Sequence, residues 1–181
     1  MQTARMRVLG GVVVGLALVV GGCHSKSSAT PENFIKGLNA HFAEHPECLM
    51  PEAPRFPYET TDPEKTKQMN ALVSAQLLKV TTERELHVSR YVTTPAGDRL
   101  APRFCYGHRV VTAINSSTPP TPRNGFPETD VAYTYHVEDV PTWAQSQTVK
   151  DAFPKMAKQT SGDSQDKATL AGTITGWQVP D

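Results

Sequence analysis

Two histidines four residues apart, His41 and His45, flank Glu44 at the spacing that lets one helix face offer two imidazoles to a zinc ion. A zinc site needs at least a third protein ligand, and none stands at a matching spacing. Near a helix C-terminus a cationic side chain also suits the helix dipole, so ordinary surface histidines account for the pair. No metal ligand set and no cofactor is assigned.

A general base needs an orienting partner. His108 and His136 fall on strand-like segments and could meet across a sheet, with Glu138 or Asp139 as the partner. Surface histidines explain these two equally well. Serines are plentiful, but none stands in Gly-x-Ser-x-Gly or Ser-x-x-Lys, the settings that activate a hydroxyl. No catalytic residue is assigned.

Tyr133, Tyr135, Trp143 and Trp177 could form an aromatic binding surface for a glycan, a peptide or a flat ligand, since aromatic anchors dominate binding sites. Core packing is the commoner use of such side chains. Of the three cysteines, Cys48 and Cys105 form an even pair suited to a disulfide in an oxidising compartment.

The remaining cysteine, Cys23, follows a different kind of segment. Arg5 and Arg7 make a short basic leader, and Val8 to Val20 is an uncharged apolar run. That run is shorter than the roughly 20 residues a helix needs to cross a bilayer, so a cleaved signal peptide is favoured over a membrane span. Val20-Gly21-Gly22-Cys23 resembles the lipobox of bacterial lipoproteins: an aliphatic residue, two small ones and the cysteine that receives diacylglycerol. The resemblance implies cleavage before Cys23, a thioether lipid on its sulfur, and a chain held on the periplasmic side of the cell envelope. In such lipoproteins an Asp directly after the cysteine often retains the product at the inner membrane; His24 stands here, which favours the outer membrane.

Loss of residues 1–22 would remove two arginines from 18 basic residues and nothing from 18 acidic ones, leaving a slight acidic excess. That balance lacks the Lys and Arg surplus of phosphate binding, so nucleic acid is not expected as a partner.

The elements that would position these side chains are legible from local signals. Residues 23–29 are Ser-rich and read as a flexible tether. Residues 30–181 suffice for one domain. Thr30 and Pro31 open a helix with Phe34, Ile35, Leu38 and Phe42 on one face, ending at Pro46. Pro51, Pro54 and Pro57 punctuate an extended strap. Asp62 and Pro63 start a second helix, expected to reach about Leu78 with Met69, Leu72, Val73 and Leu77 as its apolar stripe. Segments 79–82 and 87–94 read as a β-ribbon, followed by a turn at Pro95 to Asp98.

Strands are then expected over 105–115 and 130–137, the latter alternating Val131, Tyr133, Tyr135 and Val137 against Ala132, Thr134 and His136. Residues 116–125 read as a loop too irregular for a tight hairpin. A short broken helical stretch runs from about Glu138 to Phe153, and residues 168–179 read as one closing Thr-rich strand with Leu170, Ile174 and Trp177. The expected class is α+β, with two N-terminal helices packed on a small antiparallel sheet.

The stretch from Asn70 to Leu100, with its Thr-Pro-Ala-Gly turn, resembles the helix, strand and turn of winged-helix domains, which implies that shape for the first half of the domain. Val131 to Ala144, followed by Ala152-Phe153-Pro154, is similar to a motif of small exported bacterial proteins labelled CpmK, found near carbapenem biosynthesis genes. That resemblance brings no catalytic residue.

The expected function is that of a lipid-anchored, non-catalytic envelope protein that binds a protein partner or a small ligand. An envelope or cell-wall hydrolase using His108 and His136, and a purely structural lipoprotein, stand as alternatives.

Overall fold

The computed structural model of the chain describes residues 26–83 and 88–180. The apolar leader and Cys23 lie outside the described residues. No helix among the described residues is long and apolar enough to cross a membrane.

Helix α1 (Pro31–Glu44) starts where the cap chemistry places it: Thr30 accepts the Asn33 amide through its hydroxyl, and Pro31 stands at the first turn. Phe34, Leu38 and Phe42 form its buried face. Strand β1 (Glu47–Cys48) follows, then the proline-rich strap, which ends in β2 (Tyr58–Thr60). Helix α2 (Pro63–Ser74) is capped by Asp62, whose Oδ1 accepts the amides of Glu64 at 2.8 Å and Lys65 at 3.0 Å. It stops four residues earlier than expected. Gln76 takes a positive φ of 62° and turns the chain into β3 (Leu78–Glu83), so Leu77 is buried from the connection and not from the helix.

Strand β4 (Val88–Thr93) pairs with β3 on one side and β2 on the other, giving a three-stranded antiparallel sheet in the order β2-β4-β3. The turn after β4 needs Gly97: a Cβ there would lie 1.9 Å from the Leu77 carbonyl oxygen.

Strands β5 (Cys105–Ser117) and β7 (Phe126–Glu138) are the backbone of a second, six-stranded antiparallel sheet. Between them lies β6 (Thr121–Arg123), joined to β7 by a two-residue Asn124-Gly125 turn with φ of 51° and 84°. The expected irregular loop thus contains a tight hairpin, formed because Asn-Gly readily adopts two successive positive φ angles. Three short helices, α3 (Thr142–Gln145), α4 (Gln147–Ala152) and α5 (Pro154–Gln159), connect β7 to β8 (Ser164–Thr173). The expected closing strand is a hairpin, with β9 (Gly176–Gln178) folding back on β8 and Ile174 fully exposed (100%) at the bend. The sheet order is β1-β5-β7-β8-β9, with β6 on β7.

The class is α+β, but the expected arrangement is overturned. The two N-terminal helices do not share one small sheet: α1 packs on β5 and β9 of the six-stranded sheet, while α2 packs on β3 and α4. Nine strands accompany five helices among the described residues. The winged-helix-like first half fails for the same reason. A helix-turn-helix pair needs a short turn between its helices, whereas α1 and α2 are separated by two strands and the strap and feed different cores.

One core gathers Met69 and Leu72 of α2, Leu78, Tyr91, Phe104 and Tyr106, with Val149 and Met156. The other lies between α1 and the large sheet and holds Phe34, Leu38, Phe42, Val111, Val131, Tyr133, Tyr135, Leu170 and Trp177. Val137 packs against both. Cys48 and Cys105 face each other across β1 and β5 and are joined by a disulfide.

Candidate functional site

Where α1 crosses β9 the two backbones come unusually close. A Cβ on Gly37 would sit 2.1 Å from the Trp177 carbonyl oxygen, so only glycine allows this crossing. Phe34 meets the Trp177 ring edge-on at 5.0 Å, and the Trp177 indole N–H donates to the Ser28 carbonyl at 3.0 Å. Ser28 also accepts from Asn33 Nδ2 at 2.9 Å and from the Thr30 amide at 2.9 Å. The end of the expected tether is therefore folded onto β9, which brings Lys26 to the rim of a groove beside α1.

That groove encloses about 340 Å³ and is lined by Lys26, Lys36, His41, Glu44, His45 and Trp177, among others. The volume falls at the small end of the roughly 300–1,000 Å³ typical of ligand clefts. The two helix histidines singled out by spacing meet here, with rings stacked 4.0 Å apart and 14° from parallel. Nδ1 of His45 donates to the His41 carbonyl at 2.8 Å, which makes Nδ1 the protonated nitrogen and leaves Nε2 as the accepting one in the neutral ring. Near-parallel rings direct their nitrogen lone pairs side by side instead of at a common point, which suits hydrogen bonding better than chelation. No cluster of three or more His, Cys, Asp or Glu able to hold a metal exists among the described residues.

The four aromatic residues expected as one surface are not brought together. Tyr133 and Tyr135 are buried in the core under α1, with ring centroids 5.9 Å apart. Trp177 belongs to the same core and shows only part of itself to the groove. Trp143 packs against the other core, and its buried indole N–H has no hydrogen-bond partner among the described residues. The strand alternation that marked the tyrosines points them inward, because the covered face of β7 is the one facing α1.

His108 and His136 lie on adjacent strands but engage separate carboxylates. Nδ1 of His108 is 3.4 Å from Asp139, and Nε2 of His136 is 2.9 Å from Glu138. Both side chains are about one-third exposed, and among the described residues neither bonds a serine, threonine or cysteine. Among the described residues neither pair shows the hydrogen bond to a hydroxyl or thiol that activates a nucleophile for covalent hydrolysis.

The strongest electrostatic feature was not singled out from sequence. Arg109 is 14% exposed; its Nε bonds Glu47, and its Nη1 donates to Asp166 at 2.7 Å and to the Tyr133 hydroxyl at 3.2 Å. Its guanidinium carbon lies 5.2 Å from the Phe42 ring centroid and 4.6 Å from that of Tyr135. Gln159 Nε2 donates to Glu47 at 3.2 Å, and the Tyr106 hydroxyl donates to Gln159 Oε1 at 2.6 Å. Burial disfavours the Arg109 charge, but the bond to Asp166 and the Glu47 carboxylate outweigh it and raise the pKa further. Burial and then the Glu47 charge push the Tyr106 phenol up, and burial raises Tyr133 against the pull of Arg109. The bonds of Arg109, Glu47, Tyr106 and Gln159 run to one another and to Asp166 and Tyr133, so the cluster reads as a structural joint between β1, β5, β7, β8, α1 and α5. The sequence signal for it is slight: an Arg immediately before the Val110-Val111 pair of a strand.

No protein family, no curated protein and no solved structure matches the chain.

Proposed function

We propose that the chain is a lipid-anchored, non-catalytic protein of the bacterial cell envelope whose folded domain holds a small ligand in the groove between α1 and β9. The observation that carries the reading is the convergence, in one concave site, of the stacked His41 and His45, two lysines and the Trp177 indole. Its lining is mainly polar, two lysines, a glutamate and the paired imidazoles beside the Trp177 edge, a composition suited to a polar or charged small ligand. Lys26 stands three residues after Cys23, so an anchor on that sulfur puts the groove close to the membrane surface. The lipobox supports the anchor.

The test has two arms. Labelled palmitate is expected to enter the full chain and not its Cys23→Ala variant. A photo-crosslinking side chain at Lys36 in the living envelope is expected to yield a small, defined mass adduct, while one at Thr121, exposed on β6 and not among the groove's lining residues, yields none. Absence of label would sink the anchor. A large protein adduct at position 36, or equal adducts at both positions, would sink the small-ligand reading.

A further inference from the structure

An open sheet edge presents unpaired N–H and C=O groups, and folded proteins usually blunt such edges. Among the described residues, three long strands have an outer edge that no neighbouring strand covers over most of their length: β3, β5 and β8. On β5 the edge is interrupted by two register shifts, and Asn39 of α1 takes the Val111 amide on Oδ1 at 2.7 Å while giving Nδ2 to its carbonyl at 3.4 Å. On β8 the Lys167 amide is taken by the Asp166 carboxylate at 2.8 Å. Among the described residues strand β3 has neither a bulge nor a side chain bonded to its edge, and carries only the charges of Lys79 and Glu83 there. Its register with β4 runs unbroken from Leu78–Thr93 to Glu83–Val88, it holds no proline, and residues 79–83 are all exposed.

We propose that β3 is the seam of a homodimer, in which two copies pair their β3 strands antiparallel and join two three-stranded sheets into one of six strands. A two-fold axis between antiparallel strands must pass through a pair of identical residues, which limits the registers available. Centring it on Thr81 sets Lys79 of each copy opposite Glu83 of the other, twice over, with Val80 opposite Thr82. Centring it on Val80 instead would set Lys79 opposite Thr81 and lose both ion pairs, and centring it on Thr82 would set Glu83 opposite Thr81 and carry the partner of Lys79 past the end of β3. The sequence Lys-Val-Thr-Thr-Glu is thus charge-complementary to its own reverse, and opposite charges at directly facing positions stabilise a strand pair. The same arrangement keeps Val80, which is 39% exposed, on the face that carries Tyr91 in both copies.

The test uses a chain beginning at His24, which retains both cores, and reads self-association by analytical ultracentrifugation over a range of concentrations. The parent is expected to pass from monomer to dimer. Lys79→Glu and Glu83→Lys each face like charges across the seam and should raise the dissociation constant about tenfold or more. An equimolar mixture of the two variants restores opposite charges at both pairs and is expected to form a heterodimer at least as tightly as the parent self-associates. Thr81→Cys, on the axis, should oxidise to a covalent dimer, while Thr60→Cys on the opposite edge should not. A parent that stays monomeric into the millimolar range overturns the proposal. So does a dimer insensitive to both charge reversals, or variants whose mixture fails to associate.

Discussion

Arg109 shows how one side chain can be expensive to bury and still be retained. Its guanidinium meets two carboxylates, a phenol and two aromatic faces, so nearly every direction it offers is answered. Arg109→Met is expected to destabilise the fold by about 3–5 kcal/mol, because it strands Glu47, itself only 15% exposed, without its cation. Adding Glu47→Gln should recover part of that loss, as measured by urea denaturation. The neighbouring Tyr106 predicts an alkaline effect. Its proton is held more tightly in the folded chain than in the unfolded one, where the phenol titrates near its ordinary 10.0. The stability this contributes is fully present below about pH 10 and is lost as the pH rises beyond it. Tyr106→Phe should therefore flatten the decline in denaturation midpoint between about pH 9 and pH 11, leaving the share that belongs to Tyr133. A slope unchanged by the substitution would show that Tyr106 is not the group responsible. At Gly37 the argument is purely steric. Gly37→Ala must push α1 off β9, costing about 1–3 kcal/mol and altering Trp177 fluorescence, since the indole is part of that contact.

At the scale of elements, the strap from β1 to β2 is pinned at both ends, by the disulfide on one side and by pairing with β4 on the other. The bridge spans 57 residues of sequence, and closing a loop of that length restricts the unfolded chain by about 4 kcal/mol. Replacing Cys48 and Cys105 together by Ser should lower stability by an amount of that order in chemical denaturation. A loss below about 1 kcal/mol would mean that the unfolded chain is already constrained there. The helices show where local signals suffice. Thr30-Pro31 and Asp62-Pro63 begin α1 and α2 as their cap chemistry predicts. The end of α2 was misplaced because Leu77 continues the apolar spacing, while the positive φ at Gln76 that breaks the helix has no glycine to announce it.

At the scale of the whole molecule, the two cores share strands β5 and β7. β5 delivers Tyr106 to the core under α2 and Val111 to the core under α1, and Val137 of β7 touches both. Coupling of this kind predicts a single cooperative unfolding transition. Leu38→Ala in one core and Leu72→Ala in the other, both fully buried, should each cost about 2–5 kcal/mol and lower the same calorimetric transition. Two separable transitions, each moved by only one of the substitutions, would contradict it.

The sequence alone determined what depends on near neighbours, the two helix starts and the inward face of β7, and through the cysteine count it also determined the pairing of Cys48 with Cys105. Caps and strand alternation act within a few residues, so they can be read in order along the chain. The tertiary structure alone decided which sheet each helix covers, that four aromatic residues divide between two cores, and that His41, His45 and Trp177 line one groove. Those outcomes rest on pairings between residues as distant as Gly37 and Trp177 or Glu47 and Arg109. Several partners satisfy the same apolar face equally well until the whole chain is packed, and no local signal selects among them.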